Sequence, residues 1–210
     1  MQFAEELARV LPQDLPHRER LVSLGHKHLE MISAANEYMN LTRIVSPQEA
    51  AIKHIYDCVA PWRHFQSAAH ILDVGTGAGF PGIPLAIILP EVRFTLAEST
   101  GKKARFVESV VDTLELPNAA VIAERAESAV ATQKAEIITA RAVAPIDRLI
   151  TLFQRPLKTG IRLLLFKGPD VQAEIAEAKM DRIAGSVLCR YDLPDGFGTR
   201  TLVELRSQRR

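Results

Sequence analysis

The stretch "ILDVGTGAGFPGIPLAIILP", residues 71–90, decides the fold. A short apolar run at 71–74 meets Gly75, Gly77, Gly79 and Gly82, and a second apolar run follows at 83–89. Strand, glycine turn and helix in that order open a parallel α/β unit, whose ligands bind outside the carboxyl ends of the strands. Glycine permits positive φ and lets a ligand approach the backbone with no Cβ in the way. A tight turn needed only for packing would use glycine too.

Working outward from it, short apolar runs at 93–97, 119–123, 136–140 and 161–166 alternate with helical periodicities at 102–116, 145–157 and 171–183. Continuous apolar strands alternating with helices predict a parallel sheet covered on both faces. "SVLCRYDL" and "TRTLVELR", joined by "PDGFG", predict a closing hairpin, and hence one antiparallel strand. Upstream the chain reads helical. Leu21, Leu24, His28, Ile32, Ala35 and Met39 recur at three and four. Ser46, Pro47 and Glu49 form a helix start ahead of a stripe at Ile52, Ile55, Tyr56 and Val59. The expected organisation is a helical N-terminal extension, 1–66, packed on an α/β unit, 67–210.

Composition bounds the function. Hydrophobic residues at 47% and charged residues at 24% fit a globular enzyme, and a net charge of +1 advertises no global nucleic-acid field. Glu5, Glu6, Arg9, Asp14 and Arg18 interrupt any signal-peptide core, and 83–89 is too short to span a membrane. Cys58 and Cys189 are far apart, and no histidine has metal-ligand spacing. A reduced, cytoplasmic protein without a metal is expected.

The register D-x-G-x-G-x-G fits at Asp73, Gly75, Gly77 and Gly79, whereas the dinucleotide pattern G-x-G-x-x-G fits only from Gly77, two residues late. An acidic residue before the first glycine suits a ligand with an amino-acid end. The second strand ends at Glu98, 23 residues after Gly75, where a carboxylate can accept both ribose hydroxyls of an adenosine; a solvated strand-end acid is the alternative. Ala126 and Glu127 stand where an adenine edge could be read.

These residues resemble a class I S-adenosylmethionine-dependent methyltransferase, with a Rossmann-like seven-stranded sheet. "NLTRI" (40–44), "HIYDC" (54–58), "DVGTGAGFPGIPLAI" (73–87), "ITARAVA" (138–144) and "LLLFKG" (163–168), in that order, resemble the glucose-inhibited division protein B family of bacterial 16S rRNA guanine-N7 methyltransferases. The resemblance implies S-adenosylmethionine as cofactor and a guanine of the 530 loop in the small ribosomal subunit as target. It carries cofactor contacts onto Gly75, Phe80, Ala126, Glu127 and Arg141. Ala140 replaces the family's serine before that arginine, and Ile161 follows Gly160 where a second glycine is usual.

Guanine N7 carries no proton, so no general base is needed and positioning residues are expected instead of a catalytic dyad. Arg141, Arg125, His54 and Asp57 are the candidates, with Arg125 placed on the same rim as Arg141. A helix-stabilising polar pair is the other reading of His54 and Asp57. Asn40, Arg43 and Lys167 are the expected RNA contacts, and a monomer is expected.

Overall fold

The computed structural model describes residues 2–178 and 182–208. Seven strands form one sheet in the order β3-β2-β1-β4-β5-β7-β6. They are β1 (His70–Val74), β2 (Arg93–Ala97), β3 (Ala119–Ile122), β4 (Ile137–Arg141), β5 (Arg162–Lys167), β6 (Ile183–Asp192) and β7 (Thr199–Ser207). β1 to β5 pair in parallel, and β7 runs antiparallel to both β5 and β6. The single reversed strand and the closing hairpin are as the sequence predicts.

The inner strands β1, β2, β4 and β5 are buried on both faces, which explains their unbroken apolar runs. Ile71 and Leu164 join one hydrophobic cluster, while Leu72, Leu163 and Leu165 join the other, because successive side chains point to opposite faces. Helices α1 (Gln2–Val10), α2 (Arg18–Met39), α4 (Gly82–Ile88) and α5 (Gly101–Thr113) pack on the first cluster. Helices α6 (Ala126–Thr132), α7 (Ile146–Lys158) and α8 (Val171–Glu177) pack on the second. Leu7, Leu21 and Ile55 from the N-terminal helices therefore share one core with Ile71 and Phe94 of the sheet.

Helix α3 begins where Ser46 and Pro47 predict: the Ser46 hydroxyl accepts from the Glu49 N–H. It runs through Pro47–Ala50, a π-helical stretch at Ala51–Tyr56, and Asp57–Val59. The sequence reading missed the π turn, since Ile52, Ile55 and Val59 are buried in either geometry. The expected helix over 171–183 is shorter. It stops at Glu177, residues 179–181 lie outside the described residues, and Ile183 opens β6, where it packs in the second cluster.

Asn118, before β3, closes the other end of α4. Its side-chain amide donates to the carbonyls of Ala86 (3.0 Å), Leu89 (3.1 Å) and Val92 (3.0 Å). Among the described residues, no helix is long and apolar enough to cross a membrane.

Candidate active site

Strand order reverses between β1 and β4, so the crevice of this sheet lies beyond Val74 and Arg141. The glycine loop fills one side of it. Asp73, fully buried, accepts through Oδ2 from the Thr76 hydroxyl (2.6 Å) and the Gly82 N–H (2.9 Å), which draws the loop shut. Among the described residues its Oδ1 has no partner. Burial pushes the Asp73 carboxyl up to about 6, against those two hydrogen bonds.

The packing and ligand explanations of the glycines hold at different positions. At Gly82 a Cβ would lie 2.1 Å from Leu96 Cδ2, so that glycine serves helix–sheet packing. At Gly77, with φ +65°, a Cβ would meet only the Gly75 carbonyl oxygen at 3.9 Å, so the loop is open there. Glu98 reaches this open point. One of its carboxylate oxygens accepts from the Gly77 N–H (3.1 Å) and the other from the Thr100 N–H (2.8 Å).

Two clefts flank the loop after β4. The first, about 300 Å³, is lined by Gly75, Ser99, Glu124, Ala126 and Glu127, with Val143 of that loop opposite. The second, about 450 Å³, is lined by Ile44, His54, Asp57, Arg141, Lys167 and Arg200.

Arg141 organises the second cleft, and the π turn makes its seat. The Asp57 N–H bonds the carbonyl of Ile52, five residues back, instead of Lys53, four back. The Lys53 carbonyl is thereby released and accepts from Arg141 Nη1 at 2.7 Å. The guanidinium also lies 5.1 Å from the Phe80 ring centre and 3.5 Å from Asp57 Oδ2. Burial disfavours its charge, but neighbouring anionic groups, Asp57 and Asp73 among them, outweigh burial and raise its pKa. Asp57 in turn accepts through Oδ1 from the Tyr191 hydroxyl (2.9 Å), with Arg200 Nε 3.9 Å from Oδ2. Burial raises the Asp57 carboxyl above its ordinary value, with Arg141, Tyr191 and Arg200 opposing.

Two histidines bracket Phe80. His54 stacks on it at 4.7 Å and 9°, and His28 lies 4.8 Å away. His28 Nε2 donates to the Ala78 carbonyl (2.8 Å), and His54 Nε2 pairs with the Thr42 hydroxyl (3.0 Å). Burial pushes His28 down to about 4. Burial first, and then the Arg141 charge, pushes His54 down to about 3. Both rings are neutral at pH 7. Burial drives the Cys58 thiol up to about 12, so it is no nucleophile.

Of the expected cofactor residues, Gly75, Ala126 and Glu127 line the first cleft and Arg141 the second. Gly77 and Glu98 meet at the loop's open point. Asp73, Gly79 and Phe80 are buried beneath it. His54, Asp57 and Arg141 come together. Arg125 does not join them: it lines the first cleft, because it precedes α6 on the β3 side of the sheet. Asn40, in left-handed conformation at the end of α2, and Arg43 are exposed. Lys167 is held by Glu174 (2.8 Å) and the Ala144 carbonyl (3.2 Å), so its ammonium braces the loop after β4. Sequence reasoning missed Tyr191 and Arg200. Tyr191 is 134 residues from Asp57, and no local spacing signals that meeting.

Comparison with known proteins gives the same direction. Residues 23–188 match the family model GidB, rRNA small subunit methyltransferase G. The chain is 56% identical over 210 residues to the ribosomal RNA small subunit methyltransferase G of Solibacter usitatus, covering 98% of this chain and 100% of the relative. It is 33% identical over 204 residues to the protein of that name from Yersinia pseudotuberculosis, with 97% of each chain covered. In fold it is similar to MtNAS in complex with MTA and tNA, with TM-score 0.60, 13% identity, and coverage of 98% of this chain and 85% of the other. A mutant of MtNAS in complex with S-adenosylmethionine gives TM-score 0.54 at 17% identity, covering 98% and 72%. With relatives this similar along almost its whole length and the model matched from residue 23 to 188, the chain belongs to the GidB family, rRNA small subunit methyltransferase G.

Proposed function

We propose that this chain transfers the methyl group of S-adenosylmethionine to N7 of a guanine in the 530 loop of 16S rRNA. The observation that carries the reading is the pair of clefts on either side of the loop after β4. One is walled by the glycine loop and the other holds a fixed arginine beside a neutral, weakly basic His54. The residues present fit the cofactor: Gly77 is open at its Cβ position, and each Glu98 oxygen, engaged by one N–H, keeps acceptor capacity. Gly75, Glu98, Ala126 and Glu127 would hold it, and when bound it supplies an electrophilic methyl.

The rest falls to the chain. Guanine N7 offers a free lone pair, so no proton has to be taken up. The second cleft accordingly contains a neutral His54, and the Cys58 thiol beside it stays protonated. What remains is orientation and exclusion of water, worth about 7–11 kcal/mol at best. The charge of Arg141 is turned toward Asp57 and the Lys53 carbonyl, which limits its opposition to positive charge growing on the base. Exposed Asn40 and Arg43 are the RNA contacts we propose, with Lys167 acting indirectly through the loop it braces. The chain acts as a cytoplasmic monomer on 16S rRNA or the small subunit. Residues 1–66 serve as its helical extension and 67–210 as its catalytic unit. Membership in the family disfavours a small-molecule or protein acceptor, a ribosome-binding module without activity, and a nicotinamide enzyme.

The test is mass mapping of 16S rRNA from cells lacking the protein, before and after incubation with it and methyl-labelled S-adenosylmethionine. A missing N7-methylguanine restored in vitro is expected. An unaltered modification pattern overturns the proposal.

A further inference from the structure

We propose that Tyr191 is a positioning residue for this reaction: its hydroxyl, acting through Asp57, fixes where Arg141 presents its guanidinium to the second cleft. The inference rests on the function proposed above and adds a residue of the closing hairpin to the site.

Three observations carry it. The first is contact. The Tyr191 hydroxyl lies 2.9 Å from Asp57 Oδ1 and 3.0 Å from the Asp57 carbonyl oxygen, while Asp57 Oδ2 faces Arg141 at 3.5 Å. One carboxylate thus joins the phenol to the guanidinium. The second is how Tyr191 gets there. β6 is the edge strand, and its register slips between Val187 and Cys189: Val187 pairs with Val203, but Cys189 pairs with Leu202. One extra residue, Leu188, reverses the alternation. Ile183 and Val187 pack on the second hydrophobic cluster, whereas Cys189 and Tyr191 pack on the first. Without the bulge Tyr191 would point away from Asp57. Bulges re-aim side chains in this way beside active sites.

The third observation is the set of described groups around Asp57. Asp57 is faced by Arg141 of β4, Tyr191 of β6 and Arg200 of β7, with Cys58 beside it on its own helix. Among the described residues the Tyr191 hydroxyl is the one side-chain donor to Oδ1, and Arg200 stands 3.9 Å from Oδ2, beyond hydrogen-bond length. Burial, with Asp57 second, pushes the Tyr191 phenol up, so it remains a donor at every working pH.

The test is Tyr191→Phe in the full chain, read in two ways. Carboxyl-carbon NMR titration of Asp57 is expected to show its pKa rising by about one unit, the scale of losing a hydrogen bond to a charged group. Turnover on 16S rRNA is expected to fall by about tenfold on the acid side of the profile and to recover as pH rises, with KM for S-adenosylmethionine unchanged. An unmoved titration overturns the proposal. A titration that moves while the pH–rate profile stays put also overturns it, because the hydroxyl is then merely structural. If Tyr191→Phe does not fold, Asp57→Asn with Tyr191 intact takes its place: the acid-side fall of the wild-type pH–rate profile should disappear, and a profile that keeps it overturns the proposal. A wild-type protein that methylates no rRNA refutes the underlying reading instead, and shows this before any variant is made.

Discussion

Substituting alanine at Gly77 and at Gly82 should separate the ligand-binding role of the glycine loop from its packing role. At Gly77 the new Cβ has room: its nearest neighbour is the Gly75 carbonyl oxygen at 3.9 Å. The folded chain pays only for a left-handed conformation, about 1–2 kcal/mol. At roughly 2–4 °C per kcal/mol for a chain of this size, Gly77→Ala should melt about 2–8 °C lower. The methyl group nonetheless stands on the open face beside Glu98. Overlap with a ligand there costs about 1–3 kcal/mol, or roughly 5- to 150-fold in Kd. At Gly82 the position is reversed. The Cβ would sit 2.1 Å from Leu96 Cδ2 and 2.8 Å from Asp73 Oδ2, against normal carbon contacts of about 3.5–4.0 Å. Leu96 is fully buried, so it cannot swing away, and Asp73 Oδ2 already holds the Gly82 N–H. Gly82→Ala should lose about 3 kcal/mol or more, the upper end for overpacking. Urea unfolding gives the stabilities, and titration calorimetry with S-adenosylmethionine gives Kd. A Gly77→Ala protein that binds like the wild type, or a Gly82→Ala protein as stable as the wild type, refutes this account of the loop.

Glu98→Gln leaves one acceptor facing two backbone donors, Gly77 and Thr100, and should weaken S-adenosylmethionine binding by about 1–3 kcal/mol; an unchanged Kd would leave Glu98 as a loop tether alone. His54 is held at about 3 in the fold against 6.5 unfolded, so below about pH 6.5 the unfolded chain takes up the proton first and stability falls with pH. The stability of the wild type relative to His54→Phe should therefore shrink by about 1.4 kcal/mol per pH unit between pH 6 and 5, and a pH-independent difference contradicts this. Asn118→Ala strips a donor from the carbonyls of Ala86, Leu89 and Val92 and should cost about 1–3 kcal/mol, measured by urea unfolding with the cofactor Kd as a control; full stability would mean water replaces the amide.

The fold was legible in the sequence because its signals are local. Apolar runs of strand length, helix-period stripes, the Ser46–Pro47 cap and the Pro194–Gly198 turn each act within a few residues of themselves. The glycine register and Glu98 were legible for the same reason, since strand-end positions follow from strand lengths. Lys167 was legible in place but not in role: its position at the end of β5 is local, whereas its partner Glu174 sits on the next helix. Which cleft Arg125 lines was not legible, because a sequence does not show on which side of the strand-order switch a turn will lie.

The sequence by itself therefore determined the alternation of strands and helices, the reversed last strand, the loop without side chains and the family to which those residues belong. Tertiary structure alone decided how the second cleft is built. The π turn that frees the Lys53 carbonyl leaves the buried stripe of its helix unchanged, so hydrophobic periodicity carries no trace of it. The bulge at Leu188 decides which face Tyr191 occupies, and one extra residue in a strand is invisible until the partner strand fixes the register. The seat of Arg141 is made by groups from β4, α3, β6 and β7, and only the closed sheet brings such distant segments within hydrogen-bond range.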